Sequence, residues 1–575
     1  MKSSIEQTKK EEENKKEISN SKNNNNNESN GIAFELAKKQ REISIAEFFE
    51  KNRHLLGFDN KRKALLTAVK EAVDNSLDAC EEARILPEIK VEITEIGEEK
   101  FKIIVEDNGP GIVKDQIPKV FAKLLYGSKF HTLKQSRGQQ GIGISAAVLY
   151  AQLTTGRPAK ITSKIKEEDY AHFYQLHINT QENKPEVVEE KKIEWNKESG
   201  TKIEIDIEAT YQKGDQSVDE YLKQTAIINP YATIIYINPK SEQQIFSRTV
   251  NELPKKAKEI KPHPYGIELG RLIRMLHETE CRTLQSFLIT EFSRVGPSTA
   301  KEICEKAALL PQTKPNTITR EEAEKLIKAI KETKIIAPET DCLSPIGAKE
   351  LEEGLRKEFA AEFYTSTQRP PAVYRGNPFI IECALAYSST LPADQPIILM
   401  RFANKVPLLY QKSACAITKT VSLINWKQYG LQHTKDSLPI GPVILAVHFA
   451  SVWAPFTSEA KEAIAHYPEI MREIKLAVQE CARELYVYLR KKQRFHEQVK
   501  KKGYIEKYIP HISESLKEIL NLKDDEVEEI KKSLEEILEK TRKIEELEAP
   551  EEFDEEQRIG IKGEVEEEVE YFEEK

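Results

Sequence analysis

The 575-residue sequence predicts a multidomain α+β protein. Two regions, 61–207 and 348–495, combine helical periodicity with short apolar strands, whereas residues 266–334 show helical periodicity alone. The composition is 39% hydrophobic and 32% charged, which supplies enough apolar material for more than one buried core. We therefore expect three or four domains.

Composition excludes several classes of protein. No uninterrupted apolar run approaches the roughly 20 residues that cross a bilayer, and the Lys/Glu/Asn-rich beginning does not look like a signal peptide, so we expect a cytoplasmic protein with no membrane partner. The seven cysteines are scattered without CxxC spacing, which favours neither a disulfide framework nor a zinc site. The formal net charge is −8, but residues 541–575 alone carry 15 acidic and 5 basic side chains, so the rest of the chain has a net charge of +2. Because the body of the protein is nearly neutral, DNA contact would have to come from local basic patches.

The first element that can carry chemistry is a helix predicted at residues 61–84. Its apolar residues recur at helical spacing on one face, and Glu71, Asn75 and Asp78 lie on the opposite face. This spacing can bring two carboxylates and an amide to one site. An ordinary surface helix also has a charged face, so the helix alone does not identify a site.

A β-strand predicted at Phe101–Glu106 runs directly into Asp107-Asn-Gly109-Pro-Gly111. The glycines permit positive φ and a close approach of the backbone to a planar ligand. A carboxylate at the end of the strand can then accept an exocyclic amine. An ordinary turn explains the same residues equally well.

A glycine-rich loop at residues 138–143 (GQQGIG) precedes an apolar helical run. Glycines before a helix expose backbone N–H groups at the positive end of the helix dipole, where phosphate oxygens bind. The pattern fits neither the GxGxxG fingerprint of dinucleotide-binding units nor the GxxxxGK[ST] pattern of P-loops. The polar, basic segment Tyr126–Arg137, which contains Lys129, has the composition of a nucleotide lid. We interpret residues 64–145 as an ATP site.

In this order, the motifs ExxxNxxD, DxGxG and GxxGxG resemble those of the GHKL ATPase superfamily, which includes gyrase-type topoisomerases, heat-shock chaperones, histidine kinases and MutL-type repair proteins. The resemblance implies an α/β sandwich of the Bergerat type that binds ATP and Mg²⁺. It implies that Glu71 is the general base that polarises the attacking water, that Asn75 holds Mg²⁺ and that Asp107 binds the adenine amine. The further cofactor-binding residues that it implies are Asp78, Gly109, Gly111, Lys129, Gly138, Gln139, Gln140, Gly141, Ile142, Gly143 and Thr201.

Residues 32–58 are apolar and periodic, which makes them too hydrophobic for a linker. In dimerising members of the superfamily, an N-terminal strap of this kind packs across the ATP site of the other subunit. The alternative is a helix that covers its own domain. Residues 1–31, rich in Lys, Glu, Ser and Asn, are predicted to form a disordered tail because they cannot offset the entropy of ordering.

A Pro/Lys-rich linker at residues 253–265 leads into a helical region that resembles the helix-two-turn-helix module of type IIB topoisomerases and some DNA-repair glycosylases. The string Ser293-Arg294-Val-Gly296 precedes one of its helices. Arg294 beside the free amides of a helix N-terminus is a candidate phosphate contact. A purely structural insertion is the alternative.

The second α/β region contains three apolar strands, at 379–387, 396–402 and 442–450. The loop after the second strand resembles the transducer-domain loop whose lysine reaches the γ-phosphate. This implies that Lys405 distinguishes ATP from ADP, with an ordinary surface lysine as the alternative.

Trp426 and Lys427 are candidate DNA contacts, because aromatic rings interleaved with lysines can touch a DNA backbone. A packed tryptophan beside solvated lysines explains them equally well. Beyond this region, helices are predicted at 467–495 and 512–548, followed by a Glu-rich tail.

The order ATPase, helix-two-turn-helix and transducer, with the strings at residues 136–145 and 373–379, resembles the B subunit of DNA topoisomerase VI over about residues 32–500. The resemblance implies a nucleoid-associated A₂B₂ heterotetramer. Two B chains would dimerise on ATP and gate the passage of double-stranded DNA, relaxing and decatenating it, while a separate A subunit cuts it. A chaperone or signalling ATPase of the same superfamily is the alternative. The expected domains are a tail (1–31), strap and ATPase domain (32–253), linker and helix-two-turn-helix domain (254–345), transducer domain (346–497) and a helical, acidic region (498–575).

Overall fold

The computed structural model of the chain describes residues 36–37, 40–129, 132–138, 140–458 and 461–541. Within these residues, two β-sheets and a helical bundle each have a buried apolar cluster of their own. The segments 1–31 and 542–575, for which a disordered tail and a Glu-rich tail are predicted, lie outside the described residues. None of the helices in the described part of the chain has the length and apolarity needed to cross a membrane.

The N-terminal domain is built on an eight-stranded sheet. Neighbouring strands are antiparallel except for one parallel pair, β1 and β7, in the order β5-β4-β3-β6-β2-β1-β7-β8. The strands are β1 (Glu88–Gly97), β2 (Lys100–Glu106), β3 (Ala159–Lys164), β4 (Ala171–Asn179), β5 (Lys184–Ile193), β6 (Gly200–Glu208), β7 (Thr233–Ile237) and β8 (Gln243–Phe246).

Helices cover one face of this sheet, and alternate strand residues such as Ile103 and Val105 are buried beneath them. The two-layer α/β sandwich confirms the predicted fold class. The second helix is buried on more sides than a surface helix, because it lies between the sheet and two other helices, so that even Lys70 and Asp74 are buried. The helices are α1 (Ile45–Lys51), α2 (Lys61–Ala83), α3 (Ile117–Ala122), α4 (Gly143–Thr155) and α5 (Val218–Ile228).

A bundle of four helices follows the first sheet and buries its own apolar cluster, which includes Phe287 and Leu326. Two of its helices begin with reciprocal capping boxes, Thr283 with Ser286 and Thr319 with Glu322, which satisfy otherwise unpaired amides. The helices agree with those predicted for this region and are α6 (Leu269–Glu278), α7 (Leu284–Glu291), α8 (Pro297–Lys306) and α9 (Arg320–Glu332).

The C-terminal α/β domain contains a six-stranded sheet in which β11 and β14 are central. Strands β9 and β10 both pair with one edge of β11, and β14 connects β11 to β12, which in turn pairs with β13. Strands β12 and β14 are parallel. The elements are α10 (Ala348–Glu358), β9 (Phe363–Gln368), β10 (Ala372–Tyr374), β11 (Asn377–Tyr387), β12 (Ile398–Ala403), β13 (Val406–Pro407), α11 (Ala416–Leu423), β14 (Val443–Ser451), α12 (Pro468–Leu520) and α13 (Asp524–Thr541).

This second sheet is buried on both faces, since every residue of β14 is buried. One face packs against α11 and α12, and the other against α10 and the end of α5 in the N-terminal domain. Gly354 in α10 allows this close approach, because a Cβ there would lie 2.1 Å from the Ile227 carbonyl oxygen. The two sheets are therefore joined through one shared apolar cluster.

The helix α12 corrects the prediction of separate helices at 467–495 and 512–548. It is continuous for 53 residues, so the expected boundary at 497/498 falls inside it. Pro510 removes one backbone donor, but the helix continues through it, with Ile509 and Ser513 buried on either side and α13 packed along the same stretch. Tertiary packing thus overrides the helix-breaking residue.

Candidate functional site

A cavity of about 620 Å³ opens in the N-terminal domain between α2, the glycine-rich loop and the loop that follows β2. It brings together most of the site residues that the sequence motifs predict. The predicted residues that line it are Glu71, Asn75, Asp107, Gly111, Lys129, Gly138, Gln140, Gly141, Ile142, Gly143 and Thr201. Gln139 lies outside the described residues.

Asp107 follows β2 directly and is only 6% exposed. Its Oδ1 accepts hydrogen bonds from the amides of Gly109 (2.9 Å) and Thr201 (3.0 Å), and its Oδ2 accepts one from the Ser76 hydroxyl (2.7 Å). Burial raises the pKa of Asp107, although these three hydrogen bonds oppose the change. The cavity wall therefore contains a carboxylate whose orientation is fixed, and Gly109 acts through that carboxylate rather than by lining the cavity.

Two glycines make close contacts at the cavity wall. Gly111 has a φ of +75°, and a Cβ there would lie 2.0 Å from the Lys164 carbonyl oxygen of β3, so this position requires glycine. A Cβ on Gly143 would lie 1.7 Å from Oε2 of Glu71, so a larger residue there would displace the Glu71 carboxylate. The glycine spacing in the sequence thus reflects how closely these loops approach β3 and α2.

Glu71 lies on α2 and its carboxylate is half-buried beside Lys70, whose Nζ is 3.4 Å from Oε1. Burial alone would raise the pKa of Glu71, but the positive charges of Lys70 and Lys461 outweigh it and lower the pKa. Glu71 is therefore ionised at neutral pH, as a group that accepts a proton from water must be.

Asn75 lies one turn further along α2 and is exposed in the cavity. Its side-chain carboxamide makes no hydrogen bond to any residue in the described part of the chain. No group of three or more His, Cys, Asp or Glu side chains that could hold a metal occurs there. Mg²⁺ in nucleotide sites usually keeps several waters and takes few protein ligands, the rest coming from phosphates. A single carboxamide oxygen that faces the cavity fits that requirement.

The glycine-rich loop ends at the beginning of α4, whose N-cap residue, Ile142, provides no side-chain cap. The first amides of a helix have no partner within the helix, so these N–H groups remain available to an anion. Gly138, Gly141 and Gly143 line the same part of the cavity. The arrangement can bind phosphate oxygens.

Asp78 does not line the cavity. Its carboxylate pairs with Lys129 and accepts a hydrogen bond from Arg137 (2.8 Å) in the predicted lid. Burial alone would raise the pKa of Asp78, but Lys129 and Arg137 outweigh it and lower the pKa strongly. The structure therefore places Asp78 behind the lid, where it holds lid residues instead of facing a ligand.

Lys405 does not line the cavity either, which corrects its predicted place. Its side chain is buried beside a second cavity of about 60 Å³, where Nζ lies 3.1 Å from both Oε2 of Glu81 and Oγ of Ser344. The reason is local backbone geometry: Asn404 and Lys405 have left-handed φ values of 47° and 65°, and the chain reverses between β12 and β13. Burial lowers the pKa of Lys405, although Glu81 opposes this.

The sequence prediction missed Lys461, which is one of five described residues of the C-terminal domain that line the cavity, with Pro407, Leu409, Tyr410 and Glu462. Lys461 follows β14 and donates a hydrogen bond from Nζ to the Arg137 carbonyl oxygen (2.8 Å). Burial lowers its pKa, although Glu71 opposes this. Its neighbour Glu462 is buried and forms an ion pair with Lys63 of α2 (2.5 Å). The available signal was the same as for Lys405, namely a lysine in the loop after an apolar strand.

The predicted DNA contacts have different outcomes. Trp426 is fully buried and donates from Nε1 to the Val421 carbonyl oxygen (2.9 Å), so it packs the core and cannot stack on a nucleic acid. Lys427 is exposed, and Arg294 is partly exposed with Nε 3.7 Å from Glu339. DNA contact by Lys427 or Arg294 stays a prediction.

The described part of the predicted strap covers its own domain. Phe58 is buried and stacks on Tyr150 of α4, with ring centroids 4.7 Å apart. The same segment also has an exposed apolar side, which includes Ile45 (40% exposed) and Phe48 (41% exposed). It therefore has a face that a second copy could cover.

Comparisons with known proteins agree with this arrangement. Residues 63–210 match a family model described as "Histidine kinase-, DNA gyrase B-, and HSP90-like ATPase", and residues 338–501 match "Topoisomerase VI B subunit, transducer". The chain is 53% identical over 490 residues to the B subunit of type 2 DNA topoisomerase 6 from Methanococcoides burtonii, with 85% of this chain and 79% of that protein covered. It is 49% identical over 496 residues to the protein of the same name from Archaeoglobus fulgidus, with 86% and 82% covered.

Among solved structures, the chain is similar to the B-subunit of the DNA gyrase from Myxococcus xanthus. The sequence identity is 13%, the TM-score is 0.38, and the similarity covers 77% of this chain and 95% of that chain.

Proposed function

The chain belongs to the family of type 2 DNA topoisomerase 6 B subunits and is an ATP-binding B subunit of a type IIB topoisomerase. From this premise we propose how its cavity binds and hydrolyses ATP and how the subunit takes part in DNA strand passage. The observation that carries the proposal is the convergence, in one cavity, of an ionised Glu71, an exposed Asn75 and a fixed Asp107. The family model over residues 63–210 also describes histidine kinases and HSP90-like ATPases, but the relatives at 49% and 53% identity are named as topoisomerase B subunits.

We propose that Asp107 accepts the adenine amine and that the glycine-rich loop with the first amides of α4 binds the phosphates. Thr201 supports Asp107 through its amide and lines the same wall. Asn75 would hold Mg²⁺ through its side-chain oxygen. The bound metal would neutralise phosphate charge as it develops during phosphoryl transfer.

Glu71 is the proposed general base. It is ionised and lies against Gly143, where the phosphate loop meets α4. A carboxylate at this place can orient a water molecule and accept its proton, which typically contributes a factor of about 10² to 10⁴ in rate. Lys70 holds Glu71 in its ionised form through its charge.

Lys461 is the proposed link between the nucleotide and the transducer domain. Its ammonium group already lies in the cavity on the carbonyl of Arg137 and shares its surroundings with Glu71. A phosphate would compete for this lysine more effectively than a neutral carbonyl, because its oxygens are charged and both partners of the hydrogen bond would then be ions. One such contact, worth about 1.5 to 3 kcal/mol, can bias two orientations of the domains by roughly tenfold to a hundredfold.

Two copies of the chain would form an ATP-operated gate. The described part of the strap, residues 40–58, supports this proposal because Ile45 and Phe48 present apolar side chains to solvent while the same segment packs on α4. Burying such side chains against a second copy would be favourable. A non-hydrolysable ATP analogue should then convert monomer to dimer in sedimentation, and an unchanged mass would contradict the gate.

The cutting of DNA is assigned to a separate A subunit in an A₂B₂ assembly. Strand passage through a covalent phosphotyrosyl link needs a tyrosine beside clustered carboxylates that hold Mg²⁺. No tyrosine of the described residues has such a cluster beside it. The subunit would therefore act on double-stranded DNA only together with its partner.

The test uses supercoiled plasmid with the full chain, ATP and Mg²⁺, with and without the A subunit expressed from the same source. We expect the plasmid to stay supercoiled with the chain alone and to be relaxed or decatenated when the A subunit is added. Relaxation by the highly purified chain alone would contradict the assignment of cutting to another subunit. Failure of the complete mixture with ATP would contradict the function itself.

A further inference from the structure

We propose that the turn formed by Asn404 and Lys405 is a second contact through which the transducer domain holds the nucleotide lid, separate from the contact made by Lys461. The turn touches the lid and α2 but does not line the nucleotide cavity. Asn404 and Lys405 are therefore positioning residues. This inference rests on the proposed ATP site, because the lid matters only if a nucleotide lies beneath it.

The turn is held in place from outside its own hairpin. Asn404 and Lys405 are the two residues that join β12 to β13, with φ values of 47° and 65°; such a turn needs positive φ at both positions, which asparagine adopts more readily than lysine. Three hydrogen bonds to β14 fix its position. They are Asn404 N to Phe449 O (2.8 Å), Ser451 N to Asn404 Oδ1 (2.9 Å) and Lys405 N to His448 Nε2 (2.9 Å).

A buried side-chain relay continues from this turn across the sheet. His448 and Glu382 are both fully buried, and Nδ1 of His448 lies 2.7 Å from Oε2 of Glu382. Because Nε2 of His448 accepts the Lys405 amide, Nδ1 must bear the proton that is donated to Glu382. Glu382 also accepts the amides of Ile346 (3.0 Å) and Gly347 (2.7 Å) before α10. The position of the turn is thus fixed relative to both β14 and the beginning of α10.

The contacts of the turn with the lid come from both of its side chains. Asn404 donates from Nδ2 to the Ser136 carbonyl oxygen (3.3 Å). Lys405 pairs with Glu81 of α2, which is itself paired with Arg137 of the lid. Since Lys461 donates to the Arg137 carbonyl oxygen, consecutive lid residues are held by two different parts of the transducer domain.

The two contacts should affect different kinetic constants. Lys461 lies in the cavity and can respond to the nucleotide directly. The turn can act only on the position of the lid, and so on how firmly a bound nucleotide is retained. Loss of a turn contact should therefore raise KM for ATP while the chemical step, which depends on Glu71, changes little.

The experiment measures kcat and KM for ATP hydrolysis by the full chain in complex with its A subunit. Two variants probe the turn. Lys405→Met removes the charge that pairs with Glu81. Asn404→Asp keeps the oxygen that accepts from Ser451 but places a carboxylate against the Ser136 carbonyl, and aspartate tolerates a left-handed conformation. Lys435→Met, an exposed lysine of the same domain, is the matched control.

We expect each turn variant to raise KM about tenfold, with kcat within about twofold of wild type, whereas Lys435→Met changes neither constant. Glu81→Gln should raise KM similarly, and Glu81→Gln with Lys405→Met should raise it no further than either single change, because the two residues act as one contact. Circular dichroism and thermal unfolding check that each variant folds. If Lys405→Met does not fold, Asn404→Asp, which keeps the backbone contacts of the turn, decides the matter.

An unchanged KM in the folded turn variants would overturn the inference, as would a fall in kcat at constant KM, which would place the turn in the chemical step. Additive effects of the Glu81 and Lys405 changes would also contradict it. A wild-type complex that does not hydrolyse ATP would refute the proposed function instead, so the two failures are distinguishable.

Discussion

Two charged regions lie along the same helix and differ in what fills the space beside them. Glu71 and Asn75 of α2 face a cavity of about 620 Å³, whereas Asp78 and Glu81, one or two turns further along, face a cavity of about 60 Å³. In the second region, which we name the buried charge cluster, Arg137 and Lys405 join Asp78 and Glu81, and each carboxylate is paired.

The local sequence pattern therefore does not decide which role a polar residue takes. Along one face of α2, polar residues can contact a ligand where the lid leaves a cavity, and they form ion pairs within the protein where side chains of the lid and the transducer domain fill the space. Buried pairs of this kind contribute little net stability, but removal of one partner leaves an uncompensated charge and is strongly destabilising. Variants of the cavity should therefore lose activity with little loss of stability, whereas variants of the cluster should lose stability in addition to any change in KM for ATP.

The largest expected effect is at the cavity. Glu71→Gln should reduce kcat for ATP hydrolysis by about 10² to 10⁴, because the amide cannot accept a proton from water. The free energy of unfolding should fall only slightly, since the contact with Lys70 is long (3.4 Å) and Lys70 also lies 3.8 Å from Asp74. Steady-state ATPase assays check the change, with Glu82→Gln, an exposed residue of the same helix, as control. A kcat within twofold of wild type would remove Glu71 from its proposed role.

The matching change in the buried charge cluster is Arg137→Met. Its guanidinium is 2% exposed and pairs with both Asp78 and Glu81, so its loss should lower the free energy of unfolding by about 3 to 5 kcal/mol. Arg157→Met removes an ion pair with Asp206 whose arginine is 62% exposed, and it should cost less than about 1 kcal/mol. Urea unfolding of both variants makes the measurement, and equal costs would show that the cluster is not a structural feature.

A third change isolates ligand binding. Asp107→Asn keeps an oxygen for the amides of Gly109 and Thr201 but presents an amino group where the ligand amine would bind, so KM for ATP should rise about tenfold to a hundredfold. Burial raises the folded-state pKa of Asp107, so its ionised form is disfavoured by folding and the variant should lose no charge-dependent stability at pH 7. A large loss of stability without a change in KM would assign Asp107 to the fold alone.

The same chemical change at Asp78 should give a smaller effect of a different kind. Because Lys129 and Arg137 hold the folded-state pKa of Asp78 below its unfolded value of about 4, its ionisation stabilises the fold above that pH. Asp78→Asn should lower the free energy of unfolding by about 1 to 3 kcal/mol at pH 7. The difference from wild type should shrink as the pH falls below about 4. A difference that does not depend on pH would exclude charge as its cause.

The sequence predicted the three nucleotide motifs because each depends on local chemistry. Glycine is needed where a Cβ would collide with the backbone, as at Gly111, and Asp107 must follow a strand directly. Each requirement involves residues that are close in sequence, so the motif can be predicted from the sequence alone. The helices of the bundle were predictable for the same reason, whereas the two-layer sandwich was implied by the resemblance to the GHKL superfamily.

Contacts between residues that are distant in sequence could not be predicted. Lys405 and Lys461 are both lysines in loops after apolar strands, and only the fold shows that the first meets Glu81 while the second enters the cavity. Trp426 looked like a surface aromatic beside lysines but fills the core. Helix α12 passes through Pro510, because packing against α13 outweighs the local preference.

A structure of the chain with a non-hydrolysable ATP analogue and Mg²⁺ would show most directly which lysine of the transducer domain meets the nucleotide. We expect the adenine amine at Asp107, the phosphates on the glycine-rich loop and the Nζ of Lys461 on the terminal phosphate. Lys405 should keep its ion pair with Glu81 behind the lid. A complex in which Lys405 reaches the phosphate and Lys461 stays outside the cavity would contradict the account.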